Sequence, residues 1–310
     1  MGSYVVKRLL ISVPLLLIIS FVTFIFVNLS PVGPAEAVLQ AQGVPVITEE
    51  LILQTEQELG MDQPLFIQFF HWLTNVIQLD FGHSFVDGEP VSALIGPAFM
   101  NTLKLTLVSS VAIIILSIVL GIICALHEGK LLDQSIRGFS FILTSLPPYW
   151  LAALLIFYFS VKLDLLPTSG MGSYQHYILP VLVISVSYAG IYFRNVRSSM
   201  LNNLHEDYVL YARASGIKER KVIMHLLRNS LQVAVSIFCL AVPVILGSTV
   251  VIENVFAWPG LSSLSVKSIL SRDFPVIQAF VLILAVSFVL FNTIADIVNA
   301  MLNPKLRNDL

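Results

Sequence analysis

Among the side chains that could do chemistry, His71, His83 and His176 are the ones suited to a metal, since a neutral imidazole binds nickel and cobalt well. They stand in three separate segments, so solvated loop histidines are the better reading; His127, His205 and His225 are no better placed. Covalent and hydrolytic chemistry finds no footing. The chain has no GxxxxGK[ST] phosphate loop, no HExxH pair, no GxSxG elbow and no CxxC, so it is expected to be non-catalytic and to bind no cofactor, ATP included. Its two cysteines, Cys124 and Cys239, both fall in apolar stretches and read as small core residues. The one concentrated polar arrangement runs from Glu206 to Gly216. Asp207 is placed to cap a short helix and Gly216 to end it in the left-handed conformation, which brackets about two turns. Within those turns Ala212 and Ala214 leave a bare surface beside Tyr211, while Arg213, Lys218, Arg220 and Lys221 supply a basic rim. A short polar helix of this kind is suited to docking into a partner.

The elements that must position this helix are membrane spans. Of 310 residues 56% are hydrophobic and only 12% charged, with a mean hydropathy of +0.87. A soluble domain carries about 25% charged residues. Six apolar runs approach the ~20 residues that a bilayer core requires: roughly 9–29, 101–126, 138–161, 178–193, 232–252 and 276–297. The first follows Lys7 and Arg8 and precedes Ala35, Glu36 and Ala37, which imitate a signal peptide and its cleavage site. Its apolar run exceeds the roughly 7–15 residues of a signal h-region, so it is expected to remain as an anchor.

Charge sets the expected orientation. No Lys or Arg occurs from Leu9 to Leu103, whereas nine carboxylates do, from Glu36 to Glu89. Arg194, Arg197, Arg213, Lys218, Arg220, Lys221 and Arg228 crowd the stretch between the fourth and fifth spans. Because Lys and Arg are retained in the cytoplasm, both termini and the loop 197–231 are expected inside, with Lys305 and Arg307 in agreement, and the acidic segment outside. The resulting fold class is an all-α integral membrane protein with six transmembrane helices. Its parts are a cytoplasmic N-terminus with the first span (1–30), an extracytoplasmic amphipathic helical segment (31–99), a five-helix core (100–300) and a cytoplasmic tail (301–310).

In the outer segment Thr48 can cap a helix ending near Gly60, and Pro64 can open another in which Leu65, Phe66, Phe69, Phe70, Leu73, Val76 and Ile77 recur at helical spacing. The segment reads either as a landing platform for an extracytoplasmic protein or as a brace over the bundle. Pro147, Pro148 and Pro243 interrupt spans, which suits helices around a gated cavity and also occurs in passive membrane helices. Together with Tyr188, Glu253 and Asn254 they are the candidate lining of a translocation path, although Glu253 reads better as a satisfied structural carboxylate. Arg194, Glu253 and Asp296 all sit toward span ends. An ion-coupled carrier usually buries ionisable residues deep in its helices, so a secondary transporter is disfavoured. A receptor or scaffold would share the docking loop but not need kinked interiors. Nothing points to nucleic acid.

The loop from Glu206 to Gly216 resembles the EAA motif of permease subunits of bacterial ATP-binding-cassette importers, in the relaxed form of the peptide/nickel branch. Leu210, Tyr211 and Ala212 stand where Glu-Ala-Ala would be, Gly216 keeps the glycine, and Leu227, Arg228 and Asn229 replace the Leu-Pro ending. The likeness extends over nearly the whole chain, through Tyr4 to Leu10, Leu59 to Leu65, Leu146 to Trp150, Leu166 to Gly170, Phe256 to Gly260 and Arg272 to Val276. Within the branch, Ile95 to Leu105 and the loop look most similar to permeases importing nickel or cobalt bound to a small metallophore; a dipeptide or oligopeptide permease is the alternative. The resemblance implies a multi-pass subunit of the bacterial plasma membrane. It also implies a second permease, two cytoplasmic ATPases that use ATP and magnesium, and an extracytoplasmic solute-binding protein. Coupling to the ATPases then falls to Glu206, Asp207, Tyr211, Ala212, Arg213, Ala214, Gly216, Lys218 and Arg220.

Overall fold

Backbone groups inside a bilayer must be hydrogen-bonded within their own segment, which makes helices the expected answer for such apolar runs. The computed structural model of the chain is helical throughout its long segments. It describes the backbone of residues 2–204 and 206–302, without the side chains of 2–9, 228–229, 231–234, 236–237, 239–240 and 302. His205, Lys305 and Arg307 therefore lie outside the described residues, as do the side chains of Lys7, Arg8, Arg228, Asn229 and Cys239.

Helix α1 (Gly2–Asn28) runs through Pro14 and is followed by three short helices, α2 (Pro34–Ala41), α3 (Glu49–Glu58) and α4 (Leu65–Ile77). Thr48 caps α3 by accepting a bond from the Leu51 amide at 3.3 Å. Gly60, at φ +67, ends it: the Met61 amide reaches back to the Glu56 carbonyl at 2.7 Å. Pro64 stands one residue before α4.

Helix α5 (Val91–Leu126) is 36 residues long and starts ten residues before the expected span at Asn101. Its Pro97 is the seventh residue, past the four amides that lack partners in the first turn, so it removes one intrahelical bond, to the Ala93 carbonyl, while the helix runs on through it. The third apolar run is not one kinked helix. It forms α6 (Leu131–Ser145) and α7 (Pro148–Leu155), the latter continued by a π-helix over Ile156–Lys162, and the two arms meet at 101°. Pro147 causes the break by holding Leu146 extended (ψ 135°), and Pro148 restarts the helix at its first position.

Helix α8 (Gln175–Leu204) leads to the short α9 (Asp207–Ala214) and then to α10 (Glu219–Ser248), which continues through Pro243. Next come α11 (Val250–Val255), α12 (Leu261–Ser271) and α13 (Phe274–Leu302). Among the described residues four helices are long and apolar enough to cross a membrane, or five if the bent pair counts as one span. No strand occurs among them; His83 and Pro90 form an isolated antiparallel bridge.

The chain divides into two compact units. One is built on Leu103–Trp258, the other on Val6–Thr102 and Pro259–Val289. In the first, Leu105, Ile113, Val183, Ile184, Phe238, Ile245 and Trp258 form a buried core. Two glycines let its helices approach closely. A Cβ on Gly121 of α5 would lie 2.6 Å from Val196 Cγ1, and one on Gly190 of α8 would collide with Thr144 and Ser140 of α6. Small residues at such crossings are how membrane helices gain packing contact. In the second unit α4 lies against α1, where Phe69, stacked on Trp72 of its own helix, meets Phe21 and Phe24 edge-on.

Candidate functional site

The stretch from Glu206 to Gly216 folds as expected in outline. Helix α9 begins at Asp207, but the N-cap position belongs to Glu206, whose side chain makes no capping bond. Asp207 is therefore a first-turn acid favoured by the helix dipole, not the cap. The other end matches the sequence reading. Gly216 has φ +75, the Ile217 amide donates to Ala212 at 3.1 Å, and the Gly216 amide donates to Arg213 at 3.0 Å, a Schellman termination.

The two faces of α9 differ sharply. Val209 is buried and Ala212 packs beside it, against Ala125 of α5, Met200 of α8, and Val222 and Leu226 of α10. Ala212 thus belongs to the anchoring face, while Ala214 stays exposed. On the other side Leu210 and Tyr211 expose 69% and 77% of their surface. Leu210 is not among the coupling residues expected from the sequence. The signal for it is a large aliphatic residue on an eight-residue helix otherwise rich in polar groups.

Charges frame this face. Arg213 is not a free member of the basic rim: its guanidinium forms a two-pronged pair with Glu219 across the Gly216 turn, at 2.7 and 3.3 Å. The hydrogen bonds from Arg213 hold the Glu219 carboxyl below its ordinary range, and Glu219 raises Arg213 in return, so both stay ionised at neutral pH. Lys218, Arg220 and Lys221 remain as the exposed rim.

A second ion pair is not foreseeable from the sequence. Asp133 of α6 is fully buried and accepts both prongs of Arg197 of α8 at 2.9 and 2.8 Å, one further bond from the Gly129 amide at 3.1 Å, and a contact from Arg137 at 3.5 Å. Arg197 is thus a tie between helices rather than part of a solvated basic flank.

The candidate path residues stand at the start of α7 and on α8, α10 and α11, helices of the first unit that pack around one core. Pro147 and Pro148 mark the break between α6 and α7, and Pro243 is buried inside α10. The Tyr188 hydroxyl donates to Ser248 Oγ at 2.6 Å, tying α8 to α10. Glu253 is fully buried in α11, where its carbonyl accepts the Trp258 amide at 2.8 Å, so its side chain does not line an open mouth in this structure. Asn254 is exposed and donates to the Val250 carbonyl at 2.7 Å. Among the described residues no group of three or more His, Cys, Asp or Glu could hold a metal ion.

Comparison with known proteins gives a consistent picture. The family described as the inner membrane component of binding-protein-dependent transport systems matches residues 117–308, and its N-terminal companion matches residues 1–106. The metal-staphylopine import system permease protein CntB of Staphylococcus aureus (strain NCTC 8325 / PS 47) is 55% identical over 307 residues, 99% of each chain. The glutathione transport system permease protein GsiC of Escherichia coli (strain K12) is 40% identical over 313 residues, again 99% of each. Among solved structures, the MetNI methionine ABC transporter in inward-facing conformations superposes with a TM-score of 0.58. That match is 17% identical and covers 68% of this chain and 96% of the other.

Proposed function

Because this chain belongs to the family of binding-protein-dependent transport system inner membrane components, we propose that it carries chelated nickel or cobalt across the membrane, driven by ATPases docked on α9. It is a multi-pass permease of the bacterial inner membrane, a subunit of an ABC importer in the peptide/nickel branch, and is not itself an enzyme. The substrate class rests on the 55% identity, over essentially the whole length, to a permease named for metal-staphylopine import. The 40% relative named for glutathione supports a small peptide as the second reading.

The proposed topology has six spans with both termini in the cytoplasm. The bent α6–α7 pair forms the third span and α10 with α11 the fifth, and the positive charge around α9 supports the orientation. A second permease completes the pathway, two ATPases bind below, and a solute-binding protein delivers cargo above. Leu210 and Tyr211 enter the ATPase, the basic rim of Lys218 and Arg220 flanks them, and Val209 with Ala212 relays the motion to α5, α8 and α10. ATP closure moves the permease only to the extent that ATP binds one state more tightly than the other.

Gly216→Val tests this coupling. A β-branched residue at φ +75 costs about 1–2 kcal/mol in left-handed backbone, so the Schellman turn opens and the orientation of α9 is lost. The expected result is assembled complex whose ATPase no longer responds to loaded solute-binding protein. Wild-type transport by the Val variant would remove α9 from the coupling role.

The substrate is tested by uptake. Cells with and without this subunit are given labelled nickel or cobalt, free or chelated, and a labelled dipeptide. Loss of chelated-metal uptake alone is expected in the deletion; loss of peptide uptake alone overturns the metal reading.

A further inference from the structure

A cleft of about 710 Å³ opens in the second unit, within the size range of small-molecule sites. One wall is a single face of α4, where Gln68, His71, Trp72 and Asn75 follow one another at helical spacing. The facing wall is the hairpin that carries His83. That hairpin is rigid: Asp80 accepts the Gly82 amide at 2.9 Å, Val91 donates to Gly82 at 2.9 Å, and His83 bridges to Pro90. Ser84 and the Phe85 amide fasten it to Asp273, just ahead of α13.

Two histidines that are separated in sequence are thus brought onto one cavity. Gln278 of α13 also lines it while only 8% exposed, and its side chain makes no hydrogen bond among the described residues. A carboxamide that opens onto the cleft is free to bond water or a bound ligand. The chemistry of the lining narrows that ligand. No Lys or Arg lines the cleft, whereas Glu58 and Asp80 do, so a free peptide would find no cation for its terminal carboxylate. Imidazoles suit divalent nickel and cobalt, but among the described residues no cluster of three or more ligands exists to hold a bare ion.

We propose that this cleft receives a divalent transition metal already held by a small chelator. His71 and His83 offer imidazole nitrogen to the metal, and the Gln278 carboxamide binds the polar edge of the chelator. The chelator must supply the remaining ligands, which is why two histidines suffice. The assignment rests on the metal-chelate reading above and makes the cleft a waiting site on the extracytoplasmic side.

The test titrates a preformed nickel–staphylopine complex into the assembled importer in nanodiscs, without solute-binding protein, while following the visible absorption of nickel. The wild type is expected to shift the band. The double variant His71→Gln/His83→Gln should weaken binding at least about tenfold, the order of loss seen when metal-site support is removed. Both histidines are exposed, so the variant should still co-purify with its ATPases. An equal shift in both proteins, or none in the wild type, overturns the cleft. X-ray absorption at the nickel edge tests the same ligation without any variant: the complex bound to the wild type is expected to show more imidazole scattering than the free complex, and identical spectra refute the assignment. Uptake measured in parallel separates the two readings: import without a band shift retires the cleft alone, and a band shift without import retires the transported class alone.

Discussion

Gly190→Leu is expected to leave almost no assembled permease in the membrane. A Cβ at this position would already overlap Thr144 Cγ2 and lie 2.7 Å from Ser140 Oγ, so α6 and α8 must separate before any side chain fits. Neither neighbour is a loose end. The Thr144 hydroxyl bonds the Ser140 carbonyl at 2.9 Å, which fixes its rotamer on α6. One extra methyl in a packed core costs about 1–3 kcal/mol, and leucine adds three further carbons to that strain. Helix α8 has no room to retreat, because on its Val196 side it meets Gly121 of α5 just as closely. Gly190→Ala should therefore fold with a lowered Tm, and adding Thr144→Ser, which removes the nearest methyl, should recover part of the loss. Size-exclusion chromatography of fluorescently tagged variants and their melting temperatures measure both. A leucine variant of wild-type yield and Tm would show that the contact of α6 with α8 is not close-packed.

The crossing at Gly190 is invisible in the sequence for a physical reason. Hydropathy measures what a segment can dissolve in, so it locates every long helix and ends the first one near Leu29, as the structure does at Asn28. It carries no information about which face of α8 meets α6, and an isolated glycine in an apolar run looks like any other. Chemistry is legible wherever it is local: Thr48 caps α3, and Gly60 and Gly216 take the left-handed backbone that their turns require. Asp207 looks like the cap in the sequence, yet the cap position falls one residue earlier, a shift of the size at which helix ends are ordinarily uncertain. Pro147 and Pro148 suggest a kink, whereas two consecutive prolines remove two amides and forbid helical backbone before them, so the helix breaks at 101°. His71 and His83 stand apart in the chain and look unrelated, because only the fold of the hairpin onto α13 turns both toward one cleft. Asp133 is silent in the sequence for the same reason. Its partner is 64 residues away, on another helix.

Asp133→Ala is the second substitution expected to be severe. The carboxylate is fully buried, and Arg197 beside it is only 17% exposed, so the variant leaves a guanidinium largely out of water with no anion to meet it. Breaking one side of a buried pair costs about 3–5 kcal/mol, mostly as the penalty on the charge left behind. Arg137, half-exposed and 3.5 Å from the same carboxylate, cannot relieve that penalty because it carries the same sign as Arg197. Arg197→Met alone should also be damaging, since it strands the carboxylate. The double variant Asp133→Leu/Arg197→Met should recover most of the lost stability, because apolar replacement of a whole buried pair is often close to neutral. A thermal double-mutant cycle in detergent gives the coupling, and additivity of the two single losses would show that the pair does not act as a unit. Uptake should follow the amount of assembled permease across the cycle, as befits a tie between α6 and α8 rather than a group that meets cargo. Salt separates this pair from the other one in the same unit. The two-pronged bond of Arg213 to Glu219 lies open to solvent and should loosen as ionic strength rises, whereas the sheltered pair of Asp133 and Arg197 should hold. High salt should thus weaken the turn beneath α9 while leaving the junction of α6 and α8 intact.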